Sequence, residues 1–212
     1  MRRGALRYRH LIDVKPIPGF DSIELRDGWI RVRAAGTIGG NLCFAEPHSD
    51  PTTLLLALNA KVETEGPGGR RIFSIGELIN GAYSNSLEPG ELMTALCLPV
   101  APANQLAAYL KFQIRERPTL GLALVLETSG SGIEKAAVSL GCVCPFPRRS
   151  AAAEVLLVGP ADEARSRLAT AAALIAEEAE LIDDHQGGAD YKAHLIGVFL
   201  KRAFAAVTAP LS

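Results

Sequence analysis

Two kinds of hydrophobic pattern follow each other along this chain. Up to about residue 102, apolar residues come in short runs that are broken by Pro-Gly, Asp-Gly and Gly-Gly pairs, a pattern typical of short strands. Beyond that point, three longer strand-like runs are followed by alanine-rich segments with a helical period. A strand-rich first part, then a small sheet, then helices, is the element order of an α+β fold.

Within the first part, residues 10–36 predict short strands and residues 49–60 predict a helix. Ser49 or Asp50 can cap this helix, Pro51 suits its first turn, and a run of leucines follows. Further strands are predicted at 61–65, 70–75 and 91–100, the first two joined as a hairpin by Gly-Pro-Gly-Gly.

The pattern resets at Ala-Pro-Ala-Asn-Gln, residues 101–105, which we interpret as a linker. It divides the chain into a first domain, 1–102, and a second domain, 103–212, made of a three-stranded antiparallel sheet and helices. The strands of the second domain are predicted at 108–117, 121–127 and 134–143, and its helices at 150–159, 161–182 and 189–208.

Composition narrows the class of protein. The 212 residues carry a net charge of −1, which argues against a nucleic-acid binder that works by bulk charge. No run reaches the roughly 20 apolar residues of a membrane span. The basic first residues lack the apolar core of a signal peptide, so the sequence predicts a cytoplasmic protein.

The cysteines and acidic residues do not predict a metal site. Cys142 and Cys144 are two apart, not at the Cys-x-x-Cys spacing of a metal or iron–sulfur site, and we expect buried, reduced thiols. Glu46, His48 and Asp50 alternate, but the start of a helix accounts for them equally well.

No catalytic residue is predicted either. Residues 183–185, Asp-Asp-His, follow a long helix and are interpreted as a solvated helix end. A serine hydrolase would need a nucleophile elbow such as Gly-x-Ser-x-Gly, and the sequence has none. The aromatic residues Phe44, Phe73, Phe112 and Tyr109 are expected in the core.

One glycine-rich stretch, residues 36–41 (GTIGGN), has a pattern that favours anion binding. It lacks the lysine of a P-loop and the spacing of a dinucleotide-binding fingerprint. Its glycines can adopt positive φ, and the N–H groups of such a turn can surround a phosphate, with Thr37 and Asn41 as further donors. Taken alone, a glycine-rich stretch of this kind is more often just an ordinary turn.

Longer segments that include or flank this stretch resemble one protein family. Residues 36–51 (GTIGGNLCFAEPHSDP) resemble the second FAD-binding loop of the flavoprotein, or medium, subunits of molybdenum hydroxylases of the carbon monoxide dehydrogenase and xanthine dehydrogenase type. Further segments resemble the same family in the family's order: residues 11–32, 65–73, 87–99, 108–127, 141–148 and 190–204.

This resemblance implies a fold and a role. The first domain would be part of an α+β FAD-binding domain of the PCMH type, and the second the flavoprotein C-terminal domain. The FAD pyrophosphate would be held by backbone N–H groups of Thr37, Ile38, Gly39, Gly40 and Asn41. Asp50 would make a second cofactor contact, or simply cap its helix, and Lys111 would lie near the flavin.

The resemblance also implies partners. The chain would be the FAD-binding oxidoreductase subunit of a multi-subunit dehydrogenase. It would accept electrons from a small iron–sulfur subunit, supplied by a large molybdopterin subunit, and pass them to an external acceptor.

Two departures from the family leave an alternative open. The family has an earlier glycine-rich loop, which the sequence lacks ahead of Leu11, and a helical stretch before the GTIGG segment, which is also lacking. We therefore expect FAD to be bound weakly or lost. In the alternative, the chain is a truncated, non-catalytic relict that folds and docks to partner subunits without FAD.

Overall fold

The computed structural model describes residues 35–114 and 117–209. The strands predicted between residues 10 and 36 fall almost wholly outside these described residues.

The first part of the described chain combines short helices with a three-stranded antiparallel sheet. In this sheet β1 lies between β2 and β5, and β3 and β4 form a separate small pair. The elements are α1 (Ile38–Phe44), α2 (Asp50–Ala57), β1 (Lys61–Gly66), β2 (Gly69–Ser74), α3 (Ile75–Leu78), β3 (Ile79–Gly81), β4 (Ser84–Asn85) and β5 (Leu92–Cys97).

The second part is an antiparallel sheet with helices. Its strand order is β10-β8-β7-β6, and β9 pairs with β8. The elements are β6 (Gln105–Gln113), β7 (Pro118–Ser129), β8 (Gly132–Gly141), β9 (Arg148–Arg149), α4 (Ala151–Leu156), β10 (Gly159–Pro160), α5 (Ala161–Glu178) and α6 (Ala189–Thr208).

Strand β7 forms the centre of this sheet and is covered on both faces, so residues 118–126 are all buried. Its leucines Leu120, Leu122 and Leu124 belong to the core formed with α5 and α6. Ala123 and Val125, which point to the opposite face, pack with α2. The alternation of side chains along a strand thus places one helix layer on each side.

Helix α2 contributes to two cores. Leu54 and Leu58 pack on the second-part sheet, whereas Leu55 packs with Ile38 and Leu42 of α1 in the first-part core. The helix therefore fixes how the two parts meet.

The α+β prediction is confirmed, and helix α6 has the predicted bounds. Three long strands of the second part were also predicted, but two short strands, β9 and β10, extend their sheet. The GTIGGN prediction was wrong in conformation, because residues 38–44 form a helix and not an open turn.

The interpretation of residues 183–185 as a solvated helix end was wrong for Asp184. Its Oδ2 lies 2.7 Å from Nζ of Lys192, a residue of α6 that is fully buried. Lys192 also donates a hydrogen bond to the carbonyl oxygen of Ile182, at 2.8 Å. Within the described residues, no helix is long and apolar enough to cross a membrane.

Candidate functional site

The GTIGGN segment forms the N-terminus of α1. Thr37 is the N-cap, and its Oγ1 accepts a hydrogen bond of 3.0 Å from the amide of Gly40. Gly39 and Gly40 lie inside the first turn and have helical backbone angles, so the positive φ expected for them is not adopted. Both amides belong instead to the helix end that carries a partial positive charge, where the Gly40 amide is already taken by the cap.

The two glycines differ in the space around them. Among the described residues, a Cβ on Gly39 would meet the Met93 sulfur, at an ordinary contact distance of 3.8 Å. A Cβ on Gly40 would lie 3.0 Å from Oγ1 of Thr37 and press on the cap itself. Glycine at position 40 therefore suits the helix cap, whereas the described residues give no steric reason for glycine at position 39.

Asn41 connects α1 with the beginning of α2. Its Oδ1 accepts a hydrogen bond of 2.6 Å from the hydroxyl of Ser49, which is the N-cap of α2 and also accepts from the amide of Thr52 at 3.3 Å. Of the two N-cap candidates in the sequence, Ser49 and Asp50, the structure has Ser49 as the cap. Through this contact, the starts of the two helices are tied together.

Asp50 stands in the first turn of α2 and holds two partners from β6. Its Oδ1 accepts a hydrogen bond of 2.5 Å from the hydroxyl of Tyr109, and its Oδ2 lies 2.9 Å from Nζ of Lys111. The side chains of Asp50 and Lys111 are only 18% and 11% exposed, so this ion pair is largely removed from water. The structure brings together the two residues that the resemblance assigned to one cofactor, although they are 61 positions apart.

Two glycines of the sheet make this arrangement possible. Lys111 of β6 is opposite Gly121 of β7, which is opposite Gly141 of β8. A Cβ at Gly121 would lie 2.6 Å from the Tyr109 hydroxyl, and one at Gly141 would overlap the hydroxyl of Thr53 in α2. The missing side chains let Tyr109 and α2 lie directly on the sheet backbone.

Two buried thiols, Cys142 and Cys144, follow β8 and are kept neutral. Burial raises the pKa of Cys142 well above its ordinary value, and the carboxylate of Asp50 adds to the effect. Burial likewise raises the pKa of Cys144 to about 12. Neither buried thiol is a nucleophile at neutral pH, because thiol reactivity belongs to the thiolate.

Glu46 and His48 form a second cluster rather than a metal site with Asp50. Glu46 accepts from the Tyr83 hydroxyl at 2.9 Å, contacts Nδ1 of His48 at 3.1 Å, and pairs with Arg117 at 3.2 Å. Burial alone would raise the pKa of Glu46, but the hydrogen bonds from His48 and Tyr83 and the charge of Arg117 lower it overall. In the described residues there is no group of three or more potential ligands that could hold a metal ion.

Of the aromatic residues expected in the core, Phe44 was placed wrongly and Tyr109 correctly. Phe44, expected in the core, is 60% exposed and meets Tyr83 edge to face, with ring centroids 5.2 Å apart. Tyr109, also expected in the core, is buried as predicted, but its hydroxyl holds Asp50. An aromatic residue at an inward strand position carries no sequence signal for such a polar contact.

Comparison with known proteins gives two family matches that together span most of the chain. Residues 28–101 match the model described as FAD binding domain in molybdopterin dehydrogenase. Residues 109–207 match the model described as CO dehydrogenase flavoprotein C-terminal domain.

Individual relatives agree with these matches. The carbon monoxide dehydrogenase medium chain of Afipia carboxidovorans is 37% identical over 82% of this chain and 60% of its own length. That of Hydrogenophaga pseudoflava is 34% identical over 84% of this chain and 63% of its own length. A nicotine 6-hydroxylase medium subunit from Paenarthrobacter nicotinovorans is 29% identical. The chain thus spans about 60% of the length of these curated relatives.

Solved structures share the fold. A Cu,Mo-CO dehydrogenase in its cyanide-inactivated form superposes with a TM-score of 0.82 at 33% identity, covering 89% of this chain and 66% of that chain. The carbon monoxide dehydrogenase of Hydrogenophaga pseudoflava gives a TM-score of 0.80 at 32% identity, covering 87% of this chain and 65% of that chain.

Proposed function

Because this chain belongs to the family of FAD-binding medium subunits of the molybdenum hydroxylases, we propose that it binds FAD and serves as an electron-transfer subunit. Its electrons would come from a small iron–sulfur subunit, which a large molybdopterin subunit supplies, and would leave to an external acceptor. We also propose that this assembly works in the cytoplasm.

The observation that carries this proposal is the meeting of Asp50 and Lys111. The two residues come from opposite sides of the linker, and the resemblance assigns both to the cofactor. In the structure they form a 2.9 Å ion pair at the N-terminus of α2, which Asn41 ties to the start of α1. Sequence order alone does not bring them together.

The residues present fit an anionic dinucleotide. The amides of Ile38 and Gly39 at the start of α1 are suitable donors for the pyrophosphate of FAD, since helix N-termini favour anions. Those of Gly40 and Asn41 already donate to the hydroxyl and the carbonyl oxygen of Thr37. Gly39 has no side chain where such a group would approach the backbone, and of the described residues the Met93 sulfur comes nearest to that position. We propose Thr37, Ile38, Gly39, Gly40 and Asn41 as this phosphate-binding segment.

Lys111 and Asp50 would act next to it as a preorganised charge pair. FAD, when bound, supplies the redox chemistry, and the protein supplies position and electrostatics. Asp50 fixes the Lys111 ammonium, and the pair is mostly shielded from water, where its field is less screened. The chain's contribution is therefore to bind and orient the cofactor, and we assign no catalytic side chain.

The flavin released from the purified protein tests the proposal directly. The chain, expressed with its partner subunits, should release FAD on denaturation, and the released flavin is the readout because the iron–sulfur clusters of a partner also absorb visible light. Isothermal titration of the chain alone with FAD measures the intrinsic affinity. An assembly with the partner subunits that releases no FAD, together with no heat of FAD binding by the chain alone, would contradict the proposal and favour the non-catalytic alternative.

A further inference from the structure

The hydroxyl of Tyr109 is the third member of the Asp50–Lys111 site. We propose that Tyr109 is a positioning residue, whose hydroxyl holds one carboxylate oxygen of Asp50 so that the other stays directed at the ammonium group of Lys111. This inference rests on the proposed function, in which Asp50 and Lys111 contact the cofactor.

The geometry of the carboxylate supports this role. Tyr109 donates to Oδ1 at 2.5 Å and Lys111 to Oδ2 at 2.9 Å, so both oxygens of Asp50 are engaged. A carboxylate held at both oxygens does not turn about its terminal bond. Because the phenol is neutral, it fixes Asp50 without competing with Lys111 for the negative charge.

The sheet is shaped to receive this phenol. Tyr109 is only 7% exposed, and its hydroxyl lies so close to Gly121 that a Cβ there would be 2.6 Å away. Gly121 is also the residue opposite Lys111 in the sheet register. Gly121 therefore leaves room for the Tyr109 hydroxyl beside Lys111. From this place the hydroxyl binds Asp50, the ion-pair partner of Lys111.

A purely structural role for Tyr109 makes a different prediction. Its ring packs in the cluster that includes Leu54, Ala107 and Ala123, and phenylalanine would keep that packing. If only the ring matters, Tyr109→Phe changes nothing at Lys111. If the hydroxyl positions the pair, the same substitution reduces the contribution of Lys111 to FAD binding.

A double-mutant cycle distinguishes the two roles through FAD affinity. Titrating FAD into Tyr109→Phe and Lys111→Met should give dissociation constants raised about tenfold each, the order of one hydrogen bond to a charged group. If Tyr109 acts through Lys111, the double variant should bind no more weakly than Lys111→Met alone. Wild-type affinity in Tyr109→Phe, or two effects that fully multiply, would overturn the proposal.

A second measurement needs no cofactor. Reductive methylation of lysine amines by formaldehyde and cyanoborohydride, followed by mass spectrometry, gives the labelling rate at Lys111. We expect this rate to rise several-fold in Tyr109→Phe and to stay unchanged in Tyr191→Phe, a matched variant at an exposed tyrosine of α6. Equal rates in wild type and Tyr109→Phe would overturn the positioning role, whereas absence of FAD binding by the wild type would instead contradict the proposed function.

Discussion

Lys192 is fully buried in α6, and its ammonium group lies 2.7 Å from Oδ2 of Asp184 in the loop between α5 and α6. The loop is held at two further points. Lys192 bonds to the carbonyl of Ile182, and the amide of Ile182 donates to the carbonyl of Val143 at 3.1 Å. The buried cation thus fastens the loop to α6, and the amide of Ile182 fastens it to the chain just after β8.

Lys192→Met should therefore destabilise the protein. Removing one partner of a buried pair leaves the other charge unpaired, and a loss of about 2–4 kcal/mol in the free energy of unfolding is expected. Adding Asp184→Asn should recover at least about 1 kcal/mol, because the leftover charge is then removed as well. Denaturant unfolding of the two variants measures both effects, and strictly additive losses would contradict this account.

Glu91 should make stability depend on pH in the acid range. The side chain of Arg71, the hydroxyl of Thr64 and the amide of Glu88 lower the pKa of its carboxyl from 4.5 to about 2. A depressed folded-state pKa gives stability that is present above the unfolded value and lost as the pH falls through the folded one. That window runs from about pH 4.5 down to about pH 2.

Glu91→Gln tests this window. The melting temperature of the wild type should exceed that of Glu91→Gln at pH 6, and the gap should narrow steadily as the pH falls below about 4.5. Glu65→Gln, which removes an exposed carboxylate outside this network, is the charge-matched control and should keep a constant gap. A gap for Glu91→Gln that does not change with pH would be evidence against the network.

Gly39→Ala separates cofactor binding from folding. The new methyl group would be 3.8 Å from the Met93 sulfur, and alanine is up to about 1 kcal/mol better than glycine in a helix, so stability should be kept or raised. If the FAD pyrophosphate approaches the backbone here, the dissociation constant for FAD should rise at least about tenfold.

Gly76→Ala in the short helix α3 is the matched control for this test. Its Cβ would be 3.5 Å from a methyl group of Leu56, also an ordinary contact. Unchanged affinity is expected for this variant. If Gly39→Ala binds FAD as the wild type does, the pyrophosphate does not lie against this backbone.

Gly141→Ala should destabilise the contact of α2 with the sheet. Its Cβ would overlap the hydroxyl of Thr53, whose carbonyl oxygen also accepts a hydrogen bond of 2.6 Å from Ser139. Overpacking of this kind costs about 1–3 kcal/mol. In the Thr53→Ala background most of this loss should disappear, since the overlapping hydroxyl is gone; thermal unfolding of the four proteins gives the comparison.

The sequence predicted long, regular elements better than short ones. Helix α6 follows a helical period over 20 residues, so its bounds were predictable. Helix α1 was missed because two glycines in its first turn oppose helix formation, while burial of Ile38 and Leu42 one turn apart outweighs them. Thr37 as a cap and the four-residue spacing of these apolar residues were the signals for it.

The candidate site was predictable only through resemblance. Nothing local pairs Asp50 with Lys111, because their contact depends on α2 crossing the sheet of the second part. Gly121 and Gly141 permit that crossing, yet in the sequence they are ordinary glycines of strand runs. Two-residue strands such as β9 and β10 are too short to produce any pattern.

Helix α2 links ligand binding at its first turn to the stability of both parts of the protein. Leu54 and Leu58 lie in one core and Leu55 in another, and Asp50 stands at the helix's first turn. A ligand bound at that turn would stabilise the folded state of both parts at once. The free energy of unfolding would rise by about 2.7 kcal/mol at a ligand concentration of 100 times Kd. By the same thermodynamic linkage, a substitution that loosens the helix in either core would lower affinity at Asp50 without touching the ligand. A mutational screen for flavin retention would then also detect substitutions at residues far from the cofactor.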